Sequence, residues 1–191
     1  MDAKLLLMNP GTNVFSYWFP GFKEVYYFFL LIVFLCLTVS AGSQESASYI
    51  RRTYNSSMGL SNNNVLCIQQ DHLGYIWIGT EDGLNRFDGV NFKIYRYNAR
   101  EKGSISSSNI LFIYEDRDSI LWVGTRGGGL NRYNRQTDDF TVFRHNGEIP
   151  HSISHDEVFC MFQDRKGRLW VGTDGGGLNL FDKHKLTFTV F

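Results

Sequence analysis

The sequence lacks an excess of charge of either sign. Its 191 residues carry 19 Lys and Arg against 19 Asp and Glu, so the formal net charge is zero. Without a basic surplus, a nucleic-acid partner is disfavoured. Proline is scarce, with 3 residues, and a hydrophobic fraction of 43% does not suit a disordered chain. We therefore expect a globular protein with no nucleic-acid partner.

Motifs of nucleotide and metal chemistry are also missing. Two glycine-rich segments, residues 126–129 and 174–177, lead into predicted strands rather than helices and lack the lysine of a nucleotide-binding loop. His145, His151 and His155 lie in a polar loop with no ligand-bearing strand, which favours a solvated loop over a metal site. No non-repeated pair of carboxylates stands out as a catalytic acid and base. We predict no cofactor, no metal and no catalytic residue in this chain.

Long apolar runs are confined to the N-terminus. Residues 25–39 are apolar and uncharged, follow Lys23 and precede small residues, which is typical of a signal peptide. The run is shorter than the roughly 20 residues of a spanning helix, although Gly21 and Phe22 could extend it. Residues 1–42 are thus predicted to be a signal peptide cleaved near Ala41 or an uncleaved inner-membrane anchor. Either alternative predicts an exported protein, with residues 43–59 as a linker and lead-in strand.

The sequence is rich in aromatic residues (16%) and in glycine (19 residues). One phrase, Trp-Ile/Val-Gly-Thr, occurs at residues 77–80, 122–125 and 170–173, and each copy is followed by Leu-Asn after a glycine-bearing turn. The tryptophans are 122 − 77 = 45 and 170 − 122 = 48 residues apart. A period of roughly 40 to 50 residues built from short strands indicates β-propeller blades.

Each copy divides into four predicted strands joined by tight turns, which together make one blade. The predicted strands are residues 65–70, 75–80, 84–87 and 92–97, then 110–115, 120–125, 130–133 and 140–143, then 158–163, 169–173, 178–181 and 188–191. The predicted fold class is all-β: a partial propeller of three four-stranded antiparallel blades, at about 60–98, 105–145 and 152–191. Residues 49–54 are either a strand that closes the ring or a mere lead-in.

Residues that recur once per copy are interpreted as structural, because an active site is needed only once. One set is the aspartates that open a hairpin turn, where a carboxylate accepts nearby backbone N–H groups: Asp71, Asp116 and Asp164. A second set is the tryptophans, which are predicted to fill the gap between neighbouring sheets: Trp77, Trp122 and Trp170. A third set is the strand glycines, which are predicted to mark crowding against the adjacent sheet: Gly79, Gly124 and Gly172.

The combined pattern resembles the two-component regulator propeller repeat. Asp-x-x-Gly/Ser, Leu/Ile-Trp-Ile/Val-Gly-Thr and Gly-Leu-Asn-Arg/Leu-Phe/Tyr recur in register between about Leu60 and Phe191. The resemblance implies the periplasmic sensor of a Bacteroidetes hybrid two-component histidine kinase, in which such repeats form paired seven-bladed propellers and respond to oligosaccharides. The kinase, receiver and DNA-binding parts have no counterpart in this sequence. We therefore interpret the chain as an N-terminal piece of a sensor, with the remaining blades as partners.

Three classes of function stay open at this point. The resemblance favours an exported ligand-sensing module that takes an oligosaccharide. An exported glycan- or protein-binding propeller without a signalling role is the second class, and an enzyme is the third. The first two are distinguished by whether the reading frame continues into a membrane span and a kinase.

The predicted binding surface is the end of the arc where the copies differ. The second-to-third turns and the connections between copies emerge at this end, and the aspartate turns emerge at the other. Its variable turn residues are Glu81 and Asp82, then Arg126, then Asp174. Arg126 is the strongest candidate, because a guanidinium fork suits a carboxylate or sulfate on a sugar, or vicinal hydroxyls. A solvated arginine, or one paired with Asp174 or Glu81, is the alternative.

Two cysteines fall in one column of the repeat alignment. Cys67 and Cys160 are equivalent positions on the first and third copies, with Phe112 between them on the second. A disulfide needs Cα atoms within about 7 Å, which a whole intervening blade forbids. We predict two buried free thiols. We also expect an open arc of three blades to associate or aggregate through its uncovered end faces.

Overall fold

The computed structural model describes residues 27, 29–34 and 52–191. The chain forms two compact units, Met1–Arg51 and Arg52–Phe191, which are described separately. In the first unit, residues 27 and 29–34 are helical and exposed, and they fall inside the predicted apolar run. No helix among the described residues has the length and apolar character needed to cross a membrane. The rest of the predicted signal or anchor segment, with Cys36 and Ala41, lies outside the described residues.

The second unit consists of three four-stranded antiparallel sheets whose strands pair in chain order. The first sheet contains β1 (Val65–Gln70), β2 (Ile76–Thr80), β3 (Gly83–Phe87) and β4 (Phe92–Tyr95). The second contains β5 (Ile110–Glu115), β6 (Leu121–Thr125), β7 (Gly129–Asn134) and β8 (Asp139–Phe143). The third contains β9 (Val158–Gln163), β10 (Leu169–Thr173), β11 (Gly177–Asp182) and β12 (Thr187–Val190). The predicted all-β arc of three four-stranded blades is confirmed.

The lead-in to the first blade has no strand in its described part. Residues 52–55 are irregular, and a 3₁₀ helix, Ser56–Met58, follows. Asn55 caps this helix by accepting a hydrogen bond from the Ser57 N–H, at 3.1 Å. Residues 49–51 of the predicted strand lie outside the described residues.

The first turn of each blade is a tight hairpin loop set by its aspartate and by a residue with positive φ. In the first blade, the Gly74 N–H donates to the Asp71 carbonyl, at 2.9 Å, and the Asp71 N–H donates to the Tyr75 carbonyl, at 3.0 Å. The left-handed residue is Gly74 or Gly167 in the outer blades and Ser119 in the middle one, at φ 61°. Serine tolerates this conformation less well than glycine, but the surrounding turn is unchanged.

Each blade begins with the same irregularity in its first strand. Register shifts leave one residue unpaired in β1, β5 and β9, directly after the first strand residue. Such a bulge bends the strand and increases its twist. The unpaired residues are Leu66, Leu111 and Phe159.

Two hydrophobic cores lie between neighbouring blades. One combines residues of the first and second blades, among them Trp77, Ile110 and Tyr133; the other combines residues of the second and third, among them Trp122, Val158 and Phe181. The middle blade is therefore covered on both faces, and every residue of β6 is buried. The first and third blades each have one covered and one open face.

Candidate functional site

Each blade fixes its tryptophan with the aspartate of its first turn. Asp116 Oδ1 accepts hydrogen bonds from the N–H groups of Asp118 and Ile120, at 2.9 and 3.0 Å. The other carboxylate oxygen, Oδ2, accepts from Trp122 Nε1 at 3.1 Å. The first and third blades repeat the indole contact, from Trp77 at 2.8 Å and Trp170 at 3.1 Å. One carboxylate thus shapes the turn and anchors the large core side chain.

A cation from the following blade neutralises this carboxylate. Arg135 of the second blade contacts Asp71 Oδ2 at 2.8 Å, and Lys183 of the third blade contacts Asp116 Oδ2 at 3.2 Å. Desolvation raises the pKa of Asp71, but hydrogen bonds from Trp77 and Arg135 outweigh it and lower the pKa. The third blade has no following blade among the described residues, and Arg168 of the same turn pairs with Asp164 at 2.6 Å instead.

A second contact between blades lies beside the first. The N–H of His72, one residue after Asp71, donates to Glu115 Oε2 at 2.8 Å. The N–H of Arg117, one residue after Asp116, donates to Gln163 Oε1 at 2.9 Å. Glu115 and Gln163 both end the first strand of the following blade. The aspartate end of the arc is therefore occupied by contacts that hold blades together.

The strand glycines lie where neighbouring blades approach most closely. A Cβ placed on Gly79 would lie 2.6 Å from Cγ2 of Ile110, in the following blade. A Cβ on Gly124 would lie 2.6 Å from the carbonyl oxygen of Val158, again in the following blade. Contacts under 3.0 Å are not tolerated between such atoms, so these positions require glycine. Gly172 meets only Cys160 Sγ of its own blade.

Three predicted core residues, Cys67, Cys160 and Trp170, are not fully buried, and the last two lie on the third blade, which has an open face. Trp77 and Trp122 are 0% and 1% exposed, whereas Trp170 is half-buried and packs against the terminal Phe191. Both Cys67 and Cys160 are free thiols. Cys67 lies in the first interface, where burial raises its pKa to about 11. The prediction of two buried thiols is therefore wrong for Cys160, which is exposed on the open face, and Cys67 is only partly buried.

At the opposite end of the arc, a repeated polar trio holds the second-to-third turn. In the second blade, Ser106 donates its N–H to Asn131 Oδ1 at 3.0 Å, and Asn131 Nδ2 donates to Ser106 Oγ at 2.7 Å. Thr125 Oγ1 donates to the Gly129 carbonyl at 3.0 Å. The outer blades repeat these contacts. The turn that presents the variable residues is therefore rigidly supported from below.

The predicted binding residues occupy equivalent places on these turns. Backbone N–H groups of Glu81, Arg126 and Asp174 donate to the carbonyls of residues 64, 109 and 157, which places all three at the same repeat position. All their side chains are exposed, as is that of Asp82. Asp82 pairs with Arg96 at 3.1 Å. Within residues 52–191, the Arg126 guanidinium has no hydrogen bond or ion pair, so the alternative of pairing with Asp174 or Glu81 is not realised.

Two of the three loop histidines bond to backbone groups through their rings. His145 Nδ1 lies 2.8 Å from the carbonyl oxygen of Ile153. His155 Nδ1 accepts a hydrogen bond from the Glu157 N–H at 3.1 Å. No group of three or more possible metal ligands occurs among the described residues.

One non-repeated cluster was missed by the sequence analysis. Asp138, on the second blade, accepts hydrogen bonds from the hydroxyls of Tyr95 and Tyr133, at 2.7 and 2.6 Å, and also from Lys93. It lines a cleft of ≈ 330 Å³ on the outer side of the first interface. At the positions equivalent to Tyr95, Tyr133 and Asp138, the second interface has Phe143, Phe181 and Leu186. This difference between copies is the signal that could have revealed the cluster.

Comparison with known proteins shows that the repeats resemble those of a described family. The family model for the two-component regulator propeller matches residues 59–82, 104–127 and 152–175. Each match covers the connection before a blade and its first two strands. Histidine kinase P4 of Formosa agariphila is 43% identical over 77 residues, which are 40% of this chain and 6% of that protein.

Solved structures show the same arc. The extracellular domain of a putative hybrid two-component system from B. thetaiotaomicron is 33% identical, with a TM-score of 0.68 over 73% of this chain. The extracellular domain of a putative one-component system from the same organism is 29% identical, with a TM-score of 0.57 over 71% of this chain. The chain spans 20% of the length of each of these two relatives.

Proposed function

We infer that this chain, which belongs to the two-component regulator propeller family, is part of the extracytoplasmic ligand-sensing region of a hybrid two-component sensor. The observation that carries this inference is the likeness of its three-bladed arc to the extracellular domain of such a system. The export signal predicted in residues 1–42 agrees with a periplasmic location, either released or anchored at the inner membrane. Phosphotransfer is assigned to other parts of the sensor, so this chain acts by binding rather than by catalysis.

We propose that the ligand binds at the end that carries Arg126. The opposite end is filled by contacts between blades, through Asp71 and Asp116 with their cations. At the proposed end the turns are held by buried Ser-Asn-Thr contacts, while the Arg126 side chain is exposed and unpaired within residues 52–191. Because its guanidinium has no protein partner within residues 52–191, Arg126 can take a carboxylate or sulfate without first breaking an ion pair.

The ligand class that suits this arrangement is an oligosaccharide with an acidic group. Glu81, Asp82 and Asp174 flank Arg126 at equivalent turn positions and can accept hydrogen bonds from sugar hydroxyls. Asp82 is held by Arg96, so its carboxylate orientation is restrained. The remaining blades of a longer sensor would complete the surface.

Binding of a defined glycan panel tests this assignment. Uronic-acid oligosaccharides, sulfated oligosaccharides and their neutral counterparts are titrated by calorimetry into the wild type and into Arg126→Ala. We expect an acidic member to bind and Arg126→Ala to weaken it by about tenfold or more, because a charge-assisted contact is lost. The matched control is Lys166→Ala, which removes an exposed cation from the aspartate turn of the third blade.

The outcomes separate the alternatives. Equal loss in Arg126→Ala and Lys166→Ala would show that the effect is general electrostatics and would overturn the assigned end. Binding without any response of a reporter driven by a restored full sensor would favour a glycan-binding propeller without a signalling role.

A further inference from the structure

The first strands of neighbouring blades lie next to each other. β1 contacts β5, and β5 contacts β9, so these three strands follow one another along the inner side of the arc. In a propeller this side lines the central channel. Each first strand is the edge strand of its sheet and pairs only with the second strand of its own blade. A side chain that points from the other, free edge therefore lies in the channel.

The bulge of the middle blade places an apolar residue at this free edge. Leu111, the unpaired residue of β5, is partly exposed, whereas Ile110 and Phe112 on either side of it are buried. Ile110 belongs to the first core and Phe112 to the second, but Leu111 belongs to neither. Because the middle blade is covered on both faces, an uncovered face is not the cause of this exposure. The Leu111 side chain therefore points from the free edge of β5 into the channel.

The outer blades carry apolar residues at the same bulge position. Leu66 is 41% exposed and Phe159 is 46% exposed. The carbonyl of Val158 lies close to Gly124 of the middle blade, so Phe159, the next residue, is also next to that blade. We refer to the three side chains, Leu66, Leu111 and Phe159, as the inner strip. It is apolar in every copy, and only the third copy adds an aromatic ring.

The inner strip lies next to the end of the arc that carries Arg126. The Arg126 N–H donates to the carbonyl of Asn109, at 3.0 Å, and Asn109 is two residues before Leu111. Two residues of a strand span roughly 7 Å, which is comparable to one sugar ring. An anion on the Arg126 guanidinium and an apolar surface on Leu111 can therefore belong to the same sugar residue.

A polar side chain between Arg126 and the inner strip lacks a partner. Oδ1 of Asn109 is buried and has no hydrogen-bond partner among the described residues. A buried acceptor without a donor costs free energy. A ligand hydroxyl, or a water that such a hydroxyl holds in place, would supply the donor. Asn109 thus gives the site a polar contact between its charged and apolar parts.

We propose that an acidic sugar residue lies against the inner strip, with its acidic group on Arg126 and a face of C–H groups on Leu111 and Phe159. This inference rests on the function proposed above and specifies which acidic sugars the site takes. A pyranose with equatorial hydroxyls presents axial C–H groups on its faces, whereas axial hydroxyls put oxygen atoms there. A hydroxyl buried against leucine and phenylalanine has no hydrogen-bond partner, which is unfavourable. The site therefore selects acidic sugars whose ring hydroxyls are equatorial.

Two uronic-acid oligosaccharides of equal length and charge test this selection. Oligomers of glucuronic acid have equatorial ring hydroxyls, and oligomers of guluronic acid have axial ones. Calorimetry on the full chain should show that the wild type binds the glucuronic-acid oligomer about tenfold more tightly, because only this ring buries apolar surface on the inner strip. Phe159→Ala and Leu111→Ala should each reduce the preference to about threefold or less.

Three further variants separate the parts of the site. Val142→Ala is the matched control, because it shortens an apolar side chain that is 37% exposed on the fourth strand of the middle blade, and it should keep the preference. Phe159→Leu keeps an apolar side chain and should keep most of it. Arg126→Ala should weaken both oligomers by about tenfold without changing their ratio, because the charged and apolar contacts are separate.

The outcomes distinguish this inference from the function on which it rests. The inner strip is rejected as a contact surface if the wild type binds the two oligomers equally, or if the preference persists in both Phe159→Ala and Leu111→Ala. Either result leaves the assignment of Arg126 standing when Arg126→Ala still loses affinity. If no acidic glycan binds the wild type, the proposed function itself is overturned.

Discussion

Asp71, Asp116 and Asp164 show how much a single side chain can do at the residue scale. A hairpin turn needs only the contact of Oδ1 with the backbone, and the sequence pattern predicts that contact. The pattern does not predict that Oδ2 also accepts a hydrogen bond from the indole six residues later. Nor does it predict that a cation of the next blade pairs with Oδ2. Repetition across three copies is therefore compatible with a stabilising role well beyond the turn.

Asp116→Ala should lower the free energy of unfolding by about 3 kcal/mol, because it leaves Trp122 Nε1 buried without an acceptor and removes a partner of Lys183. Urea denaturation followed by tryptophan fluorescence measures the loss. Asp164→Ala is the matched control, since Trp170 and Arg168 are partly exposed and can turn to solvent. We expect about 1 kcal/mol there. Equal losses at the two positions would refute the role of burial.

At the scale of elements, the strand glycines decide how closely two sheets can pack. Their neighbours on the facing sheet are 31 to 34 residues further along the chain, as with Gly79 and Ile110 or Gly124 and Val158. The sequence predicts crowding there because a glycine recurs within an apolar strand. It does not identify the facing atom, which depends on how the sheets pack.

Gly124→Ala and Gly172→Ala form a matched pair. The added methyl at 124 would meet the Phe112 ring and the Val158 backbone carbonyl, which cannot turn away. We expect a loss of roughly 2 to 3 kcal/mol in the free energy of unfolding, as for an overpacked core. The added methyl at 172 meets only the Cys160 side chain, beside an open face, so the loss should be under about 1 kcal/mol. Denaturant titrations of both variants measure this difference, and a larger loss at 172 would contradict the packing argument.

The first interface contains an ionised network that the second interface does not repeat at the equivalent positions. Asp138 faces Lys93, Arg86 and two tyrosine hydroxyls. Partial burial raises its pKa, but the hydrogen bonds from Lys93, Tyr133 and Tyr95 outweigh this and lower the pKa to about 2. An unfolded chain has a value of about 3.9. The carboxylate therefore stabilises the fold fully above pH 4, and this contribution is lost as the pH falls towards 2.

Asp138→Asn tests this pH dependence. The wild type should be more stable than the variant at pH 6, and the difference should shrink between about pH 4 and pH 2. Stability is measured by urea denaturation at each pH, so that other carboxylates cancel in the comparison. A difference that is constant across this range would show that Asp138 does not titrate as described.

At the scale of the whole molecule, stability is graded from the middle of the arc to its ends. Every residue of β6 is buried, whereas β2 and β10 include partly exposed residues. The stability of such an array is approximately the sum of the intrinsic stability of each blade and the free energies of the contacts between neighbouring blades. Only the second blade has a neighbour on both faces within the described residues.

Native-state hydrogen exchange should reveal this gradient. We expect the amides of β6 to exchange slowest and those of β4 and β12, at the outer edges of the end blades, to exchange fastest. Exchange measured by mass spectrometry on peptides covering each strand resolves the order. Uniform protection across all twelve strands would show that the arc unfolds as one unit.

The repeat pattern predicted the strands well, because each copy restates the same turns and the same apolar positions. Its errors arise where copies are no longer equivalent in space. Cys160 and Trp170 have the same sequence context as Cys67 and Trp77, but their blade has an open face. Arg135 and Lys183 were missed because their partners are 64 and 67 residues away. The role of Arg126 stays a prediction, since a ligand is recognised by what lies outside the chain.

The division of each interface between two blades bears on how such proteins evolve. One face of a blade carries the strand glycine and the turn aspartate. The opposite face carries the branched residue that lies against the glycine of the preceding blade, and the side chain that accepts a hydrogen bond from its turn. Unequal crossing-over between copies inserts or deletes a unit of about 45 to 48 residues, and each new junction still joins complementary halves. In the third blade Arg168 already pairs with Asp164, so a blade that follows it does not need to supply a cation. A gene of this kind can change its number of blades in whole steps without redesigning the contacts between them.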